Sequence, residues 1–218
     1  MPTDRIREVL AEAIVGRHLL EHPFYRRWEA GTLTKSDLAA YAEQYRHIER
    51  ELPVTLEAIA EQLPKGEARR LVETNLADER GRPAPHVELF ETFAGATGAA
   101  PDVRPTPSTA ALLALVRTAV VMNPVAALAM VAAYEVQAAD IAASKADGLR
   151  VHYGMGPEGT NFWDVHRTQE VEHAGWTMEA LEALNADPVV VQAAATVSAD
   201  SWWLFLSERE ELAPAPIG

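Results

Sequence analysis

The stretch DVHRTQEVEH, residues 164–173, sets His166, Glu170 and His173 at successive spacings of four and three. At ~100° per residue these positions lie within roughly 60° of one another, so an α-helix projects all three side chains from one face. Two imidazoles and a carboxylate on one face make a partial metal site. Glu-x-x-His at i, i+3 is also the pattern that four-helix di-iron carboxylate proteins turn inward. A solvated helical face carries the same spacing, so the triplet acquires meaning only from partners elsewhere in the chain.

Outward from this helix, apolar residues recur at three and four almost everywhere and no long alternating β-branched run appears, which predicts an all-α protein. A first helix is expected from about Thr3 to Leu20, followed by a turn-rich connector, HPFYRRWEAGTLT, that ends at Thr34. Thr34 is a good N-cap for a long helix carrying Tyr41, Tyr45 and His47, with a kink expected at Pro53. Gly66 to Glu79 reads as the next helix, and GRPAP, residues 81–85, interrupts the pattern before VELFETFAGATG resumes it. The loop PDVRPTPS precedes helices expected over Ser108–Met122, Pro124 to about Tyr153, Pro157 to about Leu184 and Pro188 to about Leu212. The tail APAPIG is expected to fray.

Composition bounds the function. At 218 residues and 48% hydrophobic content the chain can bury a full core, and its size suits one domain over residues 1–218. A net charge of -13 argues against nucleic-acid and anionic-membrane partners, which need basic patches. The most apolar run, Pro124 to Tyr134, is shorter than the ~20 residues a bilayer span requires, and no leader pattern opens the chain, so a cytoplasmic setting is expected. Without cysteine there is no thiolate nucleophile and no sulfur ligand, so any metal sits on nitrogen and oxygen.

Two further clues extend the metal reading. Glu135 interrupts VAALAMVAAYEVQAADIAA, where an unpaired buried carboxylate is costly and needs a partner, which an arginine across the bundle would also satisfy. In DERGRPAPH, Glu79 and His86 are seven apart; Pro83 and Pro85 predict a bend that leaves them at the end of one helix and the start of the next. Alone, this pair also fits a surface charge and a packed or capping histidine. Together Glu79, His86, Glu135, His166, Glu170 and His173 form a mixed N/O set that suits iron or manganese better than calcium. A dinuclear oxidase site is the leading reading.

The order E-x6-H, then the isolated Glu in Y-E-x-Q, then H-x3-[D/E]-x2-H resembles the haem-oxygenase-like dimetal oxidases over nearly the whole chain. HPFYRRWEAGTLTKSDLAAYAEQY, NLADERGRPAPHVELF and YEVQAADIAASKADGL are most similar to the CADD-like proteins, the self-sacrificing 4-aminobenzoate synthases. This resemblance implies a TenA/PqqC-like bundle of seven or eight helices that holds two metals, Fe/Fe or Mn/Fe. It assigns the ligands to the six residues above, with Glu170 where the family usually has Asp. It also implies dioxygen and an external reductant as partners, and formation of 4-aminobenzoate for folate synthesis. By analogy a homodimer is expected.

In that resemblance the enzyme consumes its own side chains. Tyr25 in HPFY provides the aromatic ring, Lys145 in AASKADGL the amino group, and Tyr41 matches a second tyrosine of the same chemistry. Read without the resemblance, Tyr25 is a packing aromatic at a helix entry and Lys145, one of three lysines, a snorkelling surface side chain. Ten helical residues separate Glu135 from Lys145, ~15 Å of rise and about a quarter-turn, so the lysine reaches the ligands only through a bent helix or an elongated pocket. The thiaminase-like branch is disfavoured because it needs a catalytic cysteine, and the cofactorless pyrroloquinoline-quinone synthase branch because it needs no such metal set. Two alternatives stay open. One is a dimetal oxidase, an N-oxygenase or C–C lyase, acting on an external amino acid or fatty acid; the other is a protein-interaction module of the death-domain-associating type.

Overall fold

The computed structural model describes residues 2–81 and 84–212, and the described residues contain nine α-helices, one 3₁₀ turn at Leu19–Glu21 and no strand. The helices are α1 (Pro2–Ala13), α2 (Pro23–Glu29), α3 (Lys35–Gln62), α4 (Glu67–Glu79), α5 (His86–Thr97), α6 (Pro107–Met122), α7 (Pro124–Tyr153), α8 (Pro157–Ala183) and α9 (Pro188–Leu212). The bend expected at Pro83 and the fraying expected of APAPIG lie outside the described residues.

Most boundaries follow local chemistry. Thr34 and Asp37 close a reciprocal capping box: the Thr34 hydroxyl accepts from the Asp37 amide at 3.1 Å, and the Asp37 carboxylate accepts from the Thr34 amide at 2.8 Å. Proline stands in the first turn of α2, α6, α7 and α8, where its missing N–H has no helical partner to lose. Pro53 does not break α3, which runs unbroken from Lys35 to Gln62; it does deprive the Glu49 carbonyl of its helical donor.

The first thirty residues depart from expectation. The first helix stops at Ala13 rather than near Leu20, because Gly16 turns the chain at φ 71°. The stretch expected to be a connector contains α2, with Pro23 in its first turn and His22 Nδ1 accepting from the Phe24 amide at 3.1 Å. This short helix raises the count to nine where seven or eight were expected.

Two hydrophobic clusters fill the bundle, one at each end. The first is largely aliphatic and joins Leu10 of α1, Leu56 and Ile59 of α3, Val72 of α4, Leu128 of α7, Leu181 of α8 and Val191 of α9. The second is rich in aromatics and joins Phe24 and Trp28 of α2, Phe90 and Phe93 of α5, Phe162 and Trp163 of α8 and Phe205 of α9. Each fully buried leucine or phenylalanine contributes about 1.5–3 kcal/mol. Helices α3, α7 and α8 run through both clusters, and at the junction each carries polar residues: Glu49, Glu135, and the His166/Glu170/His173 triplet. Helix α4 ends at this level with Glu79 and α5 begins there with His86. Helices α7 and α9 are each long and apolar enough to cross a membrane, but both pack in the bundle, and α7 buries Glu135, Gln137 and Lys145 within it.

Candidate metal centre

The structure brings all six sequence-predicted ligands into one buried layer, none more than 5% exposed. His86 Nδ1 lies 2.8 Å from one Glu79 oxygen and His173 Nδ1 lies 3.3 Å from the other, so Glu79 stands between two imidazoles. Glu170 lies between the histidines of its own helix, 3.9 Å from His166 Nε2 and 3.8 Å from His173 Nδ1. The longer arm of glutamate, where the resemblance leads one to expect aspartate, spans this gap without leaving the layer. Glu135 accepts a hydrogen bond from Asn75 Nδ2 at 2.8 Å, which leaves its second oxygen without a partner. Among the described residues no arginine meets it, contrary to the alternative open in the sequence.

The outer edges of the three imidazoles fix their tautomers. His166 Nδ1 donates to the Phe162 carbonyl at 2.8 Å, His173 Nε2 to the Asp78 carboxylate at 2.9 Å, and His86 Nε2 to Gln169 Oε1 at 3.1 Å. Carbonyl and carboxylate oxygens only accept, so the outer nitrogen carries the proton and, in the neutral imidazole that binds a metal, the nitrogen facing the layer carries the lone pair. Inner atoms of the layer, Glu79 Oε1, His86 Nδ1, Glu135 Oε2 and Glu170 Oε2, are buried without a hydrogen-bond partner. His86 and Glu79 approach within ion-pair distance yet lack hydrogen-bond geometry, which is how two lone-pair donors converge on a shared cation. Burial, then the charges of Glu135, Glu79 and Glu49, push the Glu170 carboxyl well up, and burial pulls His166 well down. Such crowding favours a cation among the carboxylates, and lone pairs from imidazole and carboxylate fit iron or manganese.

Glu49 was missed by sequence reasoning. It is 3% exposed and offers an atom within 4.8 Å of atoms on Glu79, His86 and His166. The signal was present as a stripe: Tyr41, Tyr45 and Glu49 recur at intervals of four on α3.

Tyr25, Tyr41 and Lys145 meet in the aromatic cluster beside this layer. The Tyr25 and Tyr41 hydroxyls are 2.9 Å apart, and Lys145 Nζ donates to the Tyr41 hydroxyl at 2.5 Å. Lys145 is not a surface lysine: it is fully buried, with Nζ 4.6 Å from the Tyr25 ring centroid and 4.0 Å from that of Trp163. Burial pulls its pKa well below the ordinary lysine value, with Glu49 and Glu170 pulling weakly upward. Burial pushes the Tyr25 and Tyr41 phenols well up, so both keep their protons. Gly148 lets Trp28 approach α7 closely enough for its indole N–H to donate to the Lys145 carbonyl at 3.3 Å.

Helix α7 is continuous from Glu135 to Lys145, and an elongated site joins the lysine to the ligands. Tyr45 joins the halves: its ring lies 5.0 Å from Lys145 Nζ and stacks on Tyr41 at 5.5 Å, while its hydroxyl meets that of Tyr134 at 2.8 Å. Tyr45 and Tyr134 line a mostly apolar cavity of about 80 Å³ shared with Glu49, Glu135, His166 and Glu170. A wider cleft of about 390 Å³, bounded by Arg7 and Asp140, reaches Glu135 and Glu170 from the side of α1.

Residues 39–202 match a haem-oxygenase-like family described as iron-containing redox enzymes. The chain is 35% identical to a 4-aminobenzoate synthase of Nitrosomonas europaea, over 97% of this chain and 93% of that protein. It is 30% identical to a 4-aminobenzoate synthase of Chlamydia pneumoniae, over 92% of each. Among solved structures, a CADD-like protein from Nostoc punctiforme superposes with a TM-score of 0.79 at 16% identity, covering 98% of this chain and 99% of that one. A TenA homologue from Pseudomonas syringae gives a TM-score of 0.81 at 17% identity, covering 96% and 92%.

Proposed function

The chain belongs to the haem-oxygenase-like family of iron-containing redox enzymes, and on that premise we propose that it forms 4-aminobenzoate from its own Tyr25 and Lys145 at a two-metal centre. The observation that carries the reading is the enclosure of a lysine amine 4.6 Å from a tyrosine ring that is 1% exposed. Two irons, or a manganese and an iron, held by Glu79, His86, Glu135, His166, Glu170 and His173, would supply the oxidising power of dioxygen with electrons from an external reductant. Burial draws the Lys145 amine toward its neutral form, the form that holds the lone pair needed to bond to a ring carbon. Tyr41 positions both groups, bonded to the Tyr25 hydroxyl on one side and to Lys145 Nζ on the other. The aromatic walls exclude water, which would otherwise compete for a reactive ring. Names of relatives at 30–35% identity over most of the chain support the product. Dioxygen and an electron donor are the partners in this reading, and its setting is the cytoplasm.

The test loads the purified full chain with ferrous iron, with and without manganese, and adds reductant and oxygen. Mass spectrometry should find 4-aminobenzoate at no more than one per chain, with matching mass loss at Tyr25, and neither in Tyr25→Phe. Product from Tyr25→Phe would overturn the self-sacrificing reading. Product that forms only with an added small molecule would instead select an external substrate, for which the cleft beside Arg7 offers room.

A further inference from the structure

Glu49 is the one carboxylate of the buried layer that none of the preceding roles uses. It projects from α3, a helix that supplies none of the six ligands, and its Oε1 is buried without a hydrogen-bond partner. Among the described residues no arginine or lysine forms an ion pair with it. Its neighbours are Glu79, His86 and His166, each offering an atom within 4.8 Å of the others. With their outer nitrogens committed to Gln169 and the Phe162 carbonyl, His86 and His166 in their neutral form turn lone pairs to the inner edge. A charged carboxylate buried beside another carboxylate is costly, and His86 and Lys145 offset burial and the Glu79 charge only in part.

We infer that Glu49 is a seventh metal ligand, completing with Glu79, His86 and His166 a two-nitrogen, two-carboxylate set for one of the two ions. The inference rests on the two-metal reading above. Charge supports it. Neutral histidines with Glu79, Glu135 and Glu170 bring three negative charges against the four positive charges of two divalent ions, and Glu49 brings the fourth. A closed layer with no residual charge is the arrangement a low-dielectric interior favours. The same helix carries Tyr41 and Tyr45 one and two turns before Glu49, so an ion held there is fixed relative to the phenols by a rigid element.

The experiment measures anaerobic binding of ferrous iron and of manganese to the full-length protein by equilibrium dialysis, with the melting temperature recorded with and without metal. Wild type should bind two ions. Glu49→Gln should bind one of them about 10–100-fold more weakly. Without metal, Glu49→Gln should melt higher than wild type, because a buried carboxylate crowded by Glu79 is gone, and its melting temperature should rise less on metal addition. A structural role predicts the opposite sign without metal. Glu49→Ala provides a second arm: added formate, occupying the vacated space, should restore the weakened ion. Two ions bound to Glu49→Gln within twofold of wild-type affinity, or no formate rescue in a folded Glu49→Ala, would overturn the inference and leave the two-metal reading standing. No metal bound by wild type would overturn that reading itself.

Discussion

Replacing Lys145 with methionine should stabilise the metal-free protein while abolishing product. Lys145 is 1% exposed, and within the aromatic cage its amine donates to the Tyr41 hydroxyl at 2.5 Å. Methionine fills nearly the same volume without an ionisable group. Exchanging a buried ionisable side chain for a packed apolar one is worth about 1–4 kcal/mol, from which about 1 kcal/mol is lost with the Tyr41 bond, for a net of about 0–3 kcal/mol. For a chain of this size that is up to roughly 12 °C in melting temperature. The sign also has a pH dependence. The lysine pKa is lowered in the folded state from an ordinary value of 10.5, so between those two values the unfolded chain binds the extra proton. Wild-type stability therefore rises with pH in that window, and the advantage of Lys145→Met shrinks as pH approaches 10.5. Calorimetric melts at pH 7 and pH ~9.5 test both points. A variant that melts lower than wild type at pH 7, or a gap that widens with pH, would refute the account of Lys145 as a buried neutral amine.

Three further outcomes follow from particular contacts. Asp78→Ala removes the acceptor 2.9 Å from His173 Nε2, so the tautomer is no longer fixed; metal affinity should fall about 10–100-fold by calorimetric titration, with the helical circular dichroism unchanged. Gly148→Ala would place a methyl group 2.9 Å from Trp28 Cδ1, costing about 1–3 kcal/mol in a denaturant melt and lowering product yield by displacing the wall of the lysine pocket. Thr34→Ala breaks the capping box of α3 far from the ligands; it should cost about 1 kcal/mol and leave product per folded chain unchanged.

The helices from α3 onward were legible because their signals are local. Thr34 caps, prolines start helices, and an apolar period of three to four persists through Ala-rich segments that pack only as helices. The exception, α2, is seven residues long, too short to show a period, and its stability comes from burying Phe24, Tyr25 and Trp28 in a cluster built by distant segments. The His166/Glu170/His173 triplet was legible for the same reason that α7 was: a helix converts spacing into a face.

The sequence by itself determined the helical class and the six candidate ligands, because spacing along a helix and residue chemistry are properties of short segments; the tyrosine and lysine pair came only from the resemblance of HPFY and AASKADGL to a known family. It did not determine whether those ligands share a site, since Glu79 and His86 end and begin different helices and Glu135 sits alone on a third. That was decided by how α3, α4, α5, α7 and α8 stack their polar positions at one level between an aliphatic and an aromatic core. The place of Lys145 was decided there too. Its sequence context allowed a surface side chain, but packing α7 against α2, α3 and α8 encloses the amine in aromatic rings and removes the water that would have stabilised its charge.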